Sequence, residues 1–132
     1  MDFYGFMLAN YAEVNRGLLY VVGGGWEFAT VDQIPGGLQV SIAGHLRLEL
    51  DSTLESVALE TTLETPAGEH VLIASTLLTL SRKGPVDGEV WLHPVAFQVP
   101  LPVSEGGRHA VLLSGGGAYV RIPLFVRVPP NT

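Results

Sequence analysis

The chain has no cysteine. Without it there is no disulfide scaffold, no thiolate-bound zinc and no thiol nucleophile. Charge is also scarce: 15% of residues are Asp, Glu, Lys or Arg, where a soluble domain carries roughly 25%. Bases are the scarcer sign, with 7 Lys+Arg against 13 Asp+Glu and a formal net charge of -6. Such a chain repels phosphate, so no nucleic-acid partner is expected. Long apolar runs are missing too. No stretch approaches the roughly 18 residues that would span a bilayer as a helix, so no membrane partner is expected. The start, Met1-Asp2-Phe3-Tyr4-Gly5, lacks a basic segment, and Asn10 and Glu13 interrupt the apolar run behind it. That pattern does not fit a signal peptide, and a cytoplasmic protein is expected.

What is present is apolar sequence, 47% of the 132 residues. That excludes disorder, and the length fits one domain over residues 1–132. The apolar residues fall mostly at every second position. Leu38, Val40, Ile42, Leu46, Leu48 and Leu50 share one parity, and Gln39, Ser41, His45, Arg47 and Glu49 the other. Val57, Leu59, Thr61 and Leu63 alternate with Ser56, Ala58, Glu60, Thr62 and Glu64. Near the end, Val120, Ile122, Leu124, Val126 and Val128 alternate with Tyr119, Arg121, Pro123, Phe125 and Arg127. A period of two predicts half-buried strands. Pro123 and Pro129 mark the last one as an edge or broken strand, because proline donates no ladder hydrogen bond. Trp91, His93, Val95, Phe97 and Val99 form the apolar parity of another strand.

Residues 3–12, 18–22, 70–80 and 110–113 are apolar on both parities, which predicts strands buried on both faces or covered by a partner. Turn-forming residues punctuate the segments: Asn15-Arg16-Gly17, Pro35-Gly36-Gly37, Pro66-Ala67-Gly68, Lys83-Gly84-Pro85, Asp87-Gly88 and Glu105-Gly106-Gly107. The expected fold is all-β: about eight mainly antiparallel strands in a two-layer sandwich, with a closed up-and-down barrel as the alternative.

Chemistry-bearing motifs are weak. The histidines at 45, 70, 93 and 109 have no local partner at metal-ligand spacing. His45 reads as solvated and His93 as a core residue. The acids from Glu49 to Glu69 read as a wet strand face. Gly23-Gly24-Gly25-Trp26 cannot be a phosphate loop, since strand-like sequence follows it instead of a helix start. It is expected to be a bulge with Trp26 filling the core. Ser114-Gly115-Gly116-Gly117 is expected to be a hairpin loop, not a nucleophile elbow. No catalytic residue, cofactor or metal is expected.

The stretch from Leu8-Ala9-Asn10-Tyr11-Ala12 through Asn15-Arg16-Gly17-Leu18 to Gly23-Gly24-Gly25-Trp26 resembles an uncharacterised bacterial family of single-domain proteins. Its members open with a strand ending in Asp-x-Ala, continue through Gly-Lys-Leu and close an apolar strand with Gly-Gly-Gly-Trp. The likeness covers residues 3–28. Asn10 stands where the family has Asp, and Leu18 where it has Lys. The resemblance implies an all-β bacterial cytoplasmic protein and no particular activity.

The function expected from these features is a non-enzymatic module that binds a protein partner or itself as a homo-oligomer. An apolar-ligand carrier with a barrel-like cavity is the alternative, and a hydrolase built from scattered carboxylates and histidines the third reading. Interface candidates are loops at one end of the sandwich, around Arg16, Trp26 and Arg82, and the outward row of the last strand, Tyr119, Arg121, Phe125 and Arg127.

Overall fold

The computed structural model describes residues 1–80, the backbone of 86–87, and residues 90–128. Among these there is no helix. The strands are β1 (Asp2–Asn15), β2 (Leu18–Gly24), β3 (Phe28–Thr30), β4 (Gly36–Glu49), β5 (Ser56–Glu64), β6 (His70–Thr79), β7 (Val86–Asp87), β8 (Val90–Val103), β9 (Gly107–Gly115) and β10 (Ala118–Arg127). They form two five-stranded sheets, ordered β2-β1-β4-β8-β7 and β3-β10-β9-β5-β6. Every pairing is antiparallel except β3 with β10. The sandwich is as expected, with more strands than the eight counted from patterning. The two sheets remain separate, so the barrel alternative does not hold.

Parity fixes which side of each strand enters the interface. Val40, Ile42, Leu46 and Leu48 of β4, Val57, Leu59, Thr61 and Leu63 of β5, and Ile122, Leu124 and Val126 of β10 are all buried. Val95, Val99, Leu101 and Val103 of β8 complete the layer from the first sheet. Leu50 is exposed because the chain has already turned at the end of β4.

The doubly apolar segments divide into two kinds. In β9, the central strand of its sheet, Ala110, Val111 and Leu113 are buried, as expected. β2 and β6 are instead edge strands, and they correct the expectation. Leu18, Tyr20 and Val22 are 52%, 49% and 60% exposed, and Leu77 is 72% exposed. The converse error is Ser41. It lies on the polar parity of β4 but is wholly buried, because β1 and β8 flank β4 on both sides.

The glycine run is not a bulge in a continuing strand. It carries the chain from β2 in one sheet to β3 in the other. Gly23 and Gly25 hold φ values of 61° and 85°, a region that glycine enters without penalty. Gly25 N–H donates to the Leu8 carbonyl at 2.9 Å. Trp26 is half-buried against the core, with its indole Nε1 buried and without a hydrogen-bond partner.

Candidate functional site

β10 places Tyr119, Arg121, Pro123, Phe125 and Arg127 on the outer face of the second sheet, and all five are exposed. Its partners set what stands beside them. Phe125 is registered with Arg108 of β9 on one side and Phe28 of β3 on the other. Pro123 is registered with Ala110, then Glu64, then His70 across the sheet. Arg121 is registered with Leu112 and Thr62. Pro123 tolerates its position because β3 pairs only with Phe125 to Arg127, so the other side of β10 carries no strand there. That corrects the edge expectation in part: the strand is interior at its end and open at Pro123.

Side chains interlock on this face. The Phe28 and Phe125 rings stack at 5.9 Å with 8° between planes. The Arg127 guanidinium lies 4.6 Å from the Phe28 centroid, a cation–π contact. Arg121 Nη2 donates to Glu64 Oε2 at 2.8 Å, and His70 Nε2 lies 3.2 Å from Glu64 Oε1. Glu64 therefore sits between a guanidinium and an imidazole. The hydrogen bond from Arg121, then that from His70, holds its carboxyl below the usual carboxylate range.

Next to this cluster is a cavity of about 320 Å³ lined by Glu27, Arg108, His109, Arg121, Pro123, Leu124 and Phe125. The volume is at the small end for ligand pockets. His109 is only 3% exposed. Its Nδ1 lies 3.0 Å from the Gly107 carbonyl. A carbonyl can only accept, so Nδ1 carries a proton. Glu27 enters by the β3 crossover, where its carbonyl accepts from Phe125 N–H at 2.8 Å. The cavity therefore combines two guanidinium groups, one carboxylate and a ring held in place by stacking, while His109 and its register partner Leu124 direct their side chains to the core behind it.

The remaining candidates do not converge on it. Arg16 occupies the turn before β2, and Trp26 follows its other end. Seven strand residues separate them by roughly 20 Å, so they do not share an end of the sandwich. Arg82, with Lys83 and Gly84, lies outside the described residues. The four histidines sit on β4, β6, β8 and β9. His45 is half-buried and not freely solvated, and burial pushes its pKa down. His93 is half-buried, registered with Leu46. No group of three or more His, Asp or Glu among the described residues could share a metal ion. A shallow depression of about 630 Å³ runs over the single loop Asp51–Ser56. There Ser52 Oγ accepts from the Leu54 backbone N–H at 3.3 Å.

Comparison with known proteins gives little. No family model matches the chain, and no curated protein matches it. Among solved structures, it is similar to superoxide reductase (neelaredoxin) from Ignicoccus hospitalis. The TM-score is 0.40 and the identity 13%, over 92% of this chain and 83% of that one. A single-substitution variant of that protein gives a TM-score of 0.39 and 11% identity, over 93% and 83%. These neighbours are enzymes by title, and the expectation of a non-enzymatic module is corrected accordingly. That expectation rested on the lack of a local catalytic motif, which is silent about side chains brought together across strands. The barrel-like carrier is also withdrawn, because leucine and valine side chains fill the space between the sheets.

Sequence reasoning found the β10 row but missed Glu27, Glu64, Arg108 and His109. Arg108 was within reach. A two-residue loop at Gly116-Gly117 pairs Gly115 with Ala118, and counting outward from it sets Arg108 opposite Phe125. Glu27 carried no such signal, because a parallel crossover strand has no local register.

The titrations make a pH prediction. Glu64 has a depressed folded pKa, so its contribution to stability is present above the ordinary carboxylate range and is lost as pH falls through the folded value. His45 is also depressed. The unfolded chain takes up that proton first, and stability falls as pH drops below the ordinary imidazole range. Urea midpoints are expected to decline in both windows. His45→Gln should flatten the slope near roughly pH 6, and Arg121→Gln should flatten the acid limb. Curves that superimpose on the parent would refute both assignments.

Proposed function

We propose that the chain binds a small ligand that joins a carboxylate or phosphate group to an apolar body, in the cavity between β3, β9 and β10. The observation that carries this reading is the pairing of Arg108 and Arg121 around one cavity whose wall is Phe125. Three of the chain's 7 Lys+Arg (Arg108, Arg121 and Arg127) stand on this one face. Guanidinium groups bind oxyanions in bidentate fashion. Arg121 arrives oriented by Glu64, and Phe125 by the Phe28–Arg127 stack, so little side-chain freedom remains to be lost on binding. Glu27 would accept a hydroxyl or ammonium group of the ligand.

Calorimetric titration with benzoate, phenyl phosphate and the neutral benzyl alcohol tests the proposal. The two anions are expected to bind with Kd of roughly 0.1–1 mM, a range of about -4 to -5.5 kcal/mol. The alcohol should bind at least about tenfold more weakly, and Arg108→Gln should lose a similar factor for the anions. Absence of binding by both anions, or equal binding of all three probes, would overturn the reading.

A further inference from the structure

We propose that β2 pairs edge to edge with β2 of a second copy, joining the two first sheets into one continuous sheet. An open strand edge presents unpaired N–H and C=O groups to any other strand, and proteins protect such edges. Among the described residues, the other outermost strands carry a protecting device, and β1 beyond the reach of β2 carries a bulge between Tyr4 and Met7. β3 has three residues and β7 two. β10 beyond the reach of β3 carries Pro123. β8 beyond the reach of β7 carries Pro94, Pro100 and Pro102. β6 is broken by a register shift, because Thr61 pairs with Ala74 and Thr62 with Leu72, leaving Ile73 as the extra residue. β2 has none of these. It is seven residues long, its pairing with β1 is regular, and it contains no proline and no charge.

The hairpin geometry says which groups are free. Arg16 and Gly17 have φ of 53° and 76°, the left-handed pair of a two-residue type I′ turn. In that turn the flanking residues, Asn15 and Leu18, form a hydrogen-bonded pair, and the pattern alternates from there. Leu18, Tyr20 and Val22 therefore bond to β1, while Leu19 and Val21 direct their N–H and C=O groups outward. An antiparallel copy with its two-fold axis at Tyr20 pairs Leu19 with Val21 of the other copy in both directions. The same register sets Tyr20 beside Tyr20 and Leu18 beside Val22, covering the exposed row on that face.

The occupant is a second copy because of charge. The whole protein carries -6, so two copies repel over most approaches. The run from Leu18 to Trp26 has no charged residue, so the two paired strands themselves oppose no carboxylates, and Glu13, registered with Tyr20, stands one strand further back in each copy. Self-pairing is isologous and closes after two subunits. The ligand cavity lies on the other sheet, so this proposal and that one can fail separately.

Sedimentation velocity on the full chain is the test. The expected species at roughly 100 µM is twice the 14.1 kDa chain mass. Tyr20→Lys, at an exposed position, should weaken association by about tenfold or more while leaving the circular dichroism spectrum unchanged. Val21→Pro removes an outward N–H and should act likewise. Leu77→Lys, at a still more exposed position on the bulged β6, should change nothing. Deuterium exchange at Leu19 and Val21 should slow in the dimer. A parent that stays monomeric at this concentration overturns the proposal. So does a dimer that survives both Tyr20→Lys and Val21→Pro.

Discussion

Gly44→Val is expected to destabilise the chain by about 3–5 kcal/mol, one of the largest effects available to a single substitution here. β1 carries a bulge, with its register against β4 shifting between Tyr4 and Met7. Gly5 enters it at φ 63°, and Phe6 is delivered directly over Gly44. A Cβ at Gly44 would stand 2.8 Å from the Phe6 Cα and would also meet the Phe6 ring. The ring atoms are nearer still, but the Cα is backbone, so rotating the side chain cannot relieve the whole contact. Phe6 packs edge-on against Phe3 at 5.1 Å, and both rings touch the two halves of the core. Displacing Phe6 therefore loosens the whole end of the sandwich. Urea denaturation measures the loss. The cause is checked by adding Phe6→Ala: if the clash is with Phe6, the double variant is less destabilised than the sum of the singles. Strict additivity would rule out this mechanism.

Leu113→Ala is the second large effect, about 3–4 kcal/mol, which corresponds to a fall in Tm of roughly 10–15 °C for a chain of this size. Leu113 is fully buried on β9, the middle strand of its sheet. It packs in the larger core cluster with Leu63, Val111, Ile122 and Leu124. Rigid strands on both sides keep the vacated space from collapsing, so a cavity cost adds to the lost transfer energy. Leu77→Ala is the matched control. The residue type is the same, but Leu77 is mostly exposed, and the change should stay within about 0.5 kcal/mol. A Leu113→Ala loss no larger than that of the control would contradict the assigned core.

Much of the fold was legible because period-2 alternation is a local property. Leu59 and Leu63 face inward for the same reason that Glu60 and Glu64 face outward, and no distant residue is needed to see it. Doubly apolar strands were ambiguous on that evidence. The run at 110–113 and the run at 18–22 look alike in sequence, yet one is central and the other is an edge. The difference lies in neighbours: β9 has β10 and β5 beside it, whereas β2 has β1 alone. Patterning reports what a strand could bury and says nothing of its order in the sheet.

The site divides the same way. The outward row of Tyr119, Arg121, Phe125 and Arg127 follows from alternation in β10. The partners that give the row its chemistry come from other strands. Glu64 meets Arg121 across the intervening β9, 57 positions away in the chain. Glu27 comes from a crossover between sheets, and the buried His109 belongs to the inner parity of β9. Sequence alone determined the all-β class, the inward and outward sets along each strand, the turns and the shortage of positive charge. These depend only on backbone geometry and side-chain polarity within one strand. The tertiary structure decided which strands stand at the edges, which charges meet and where a cavity opens, because those depend on strand order, set by contacts between residues far apart in the chain.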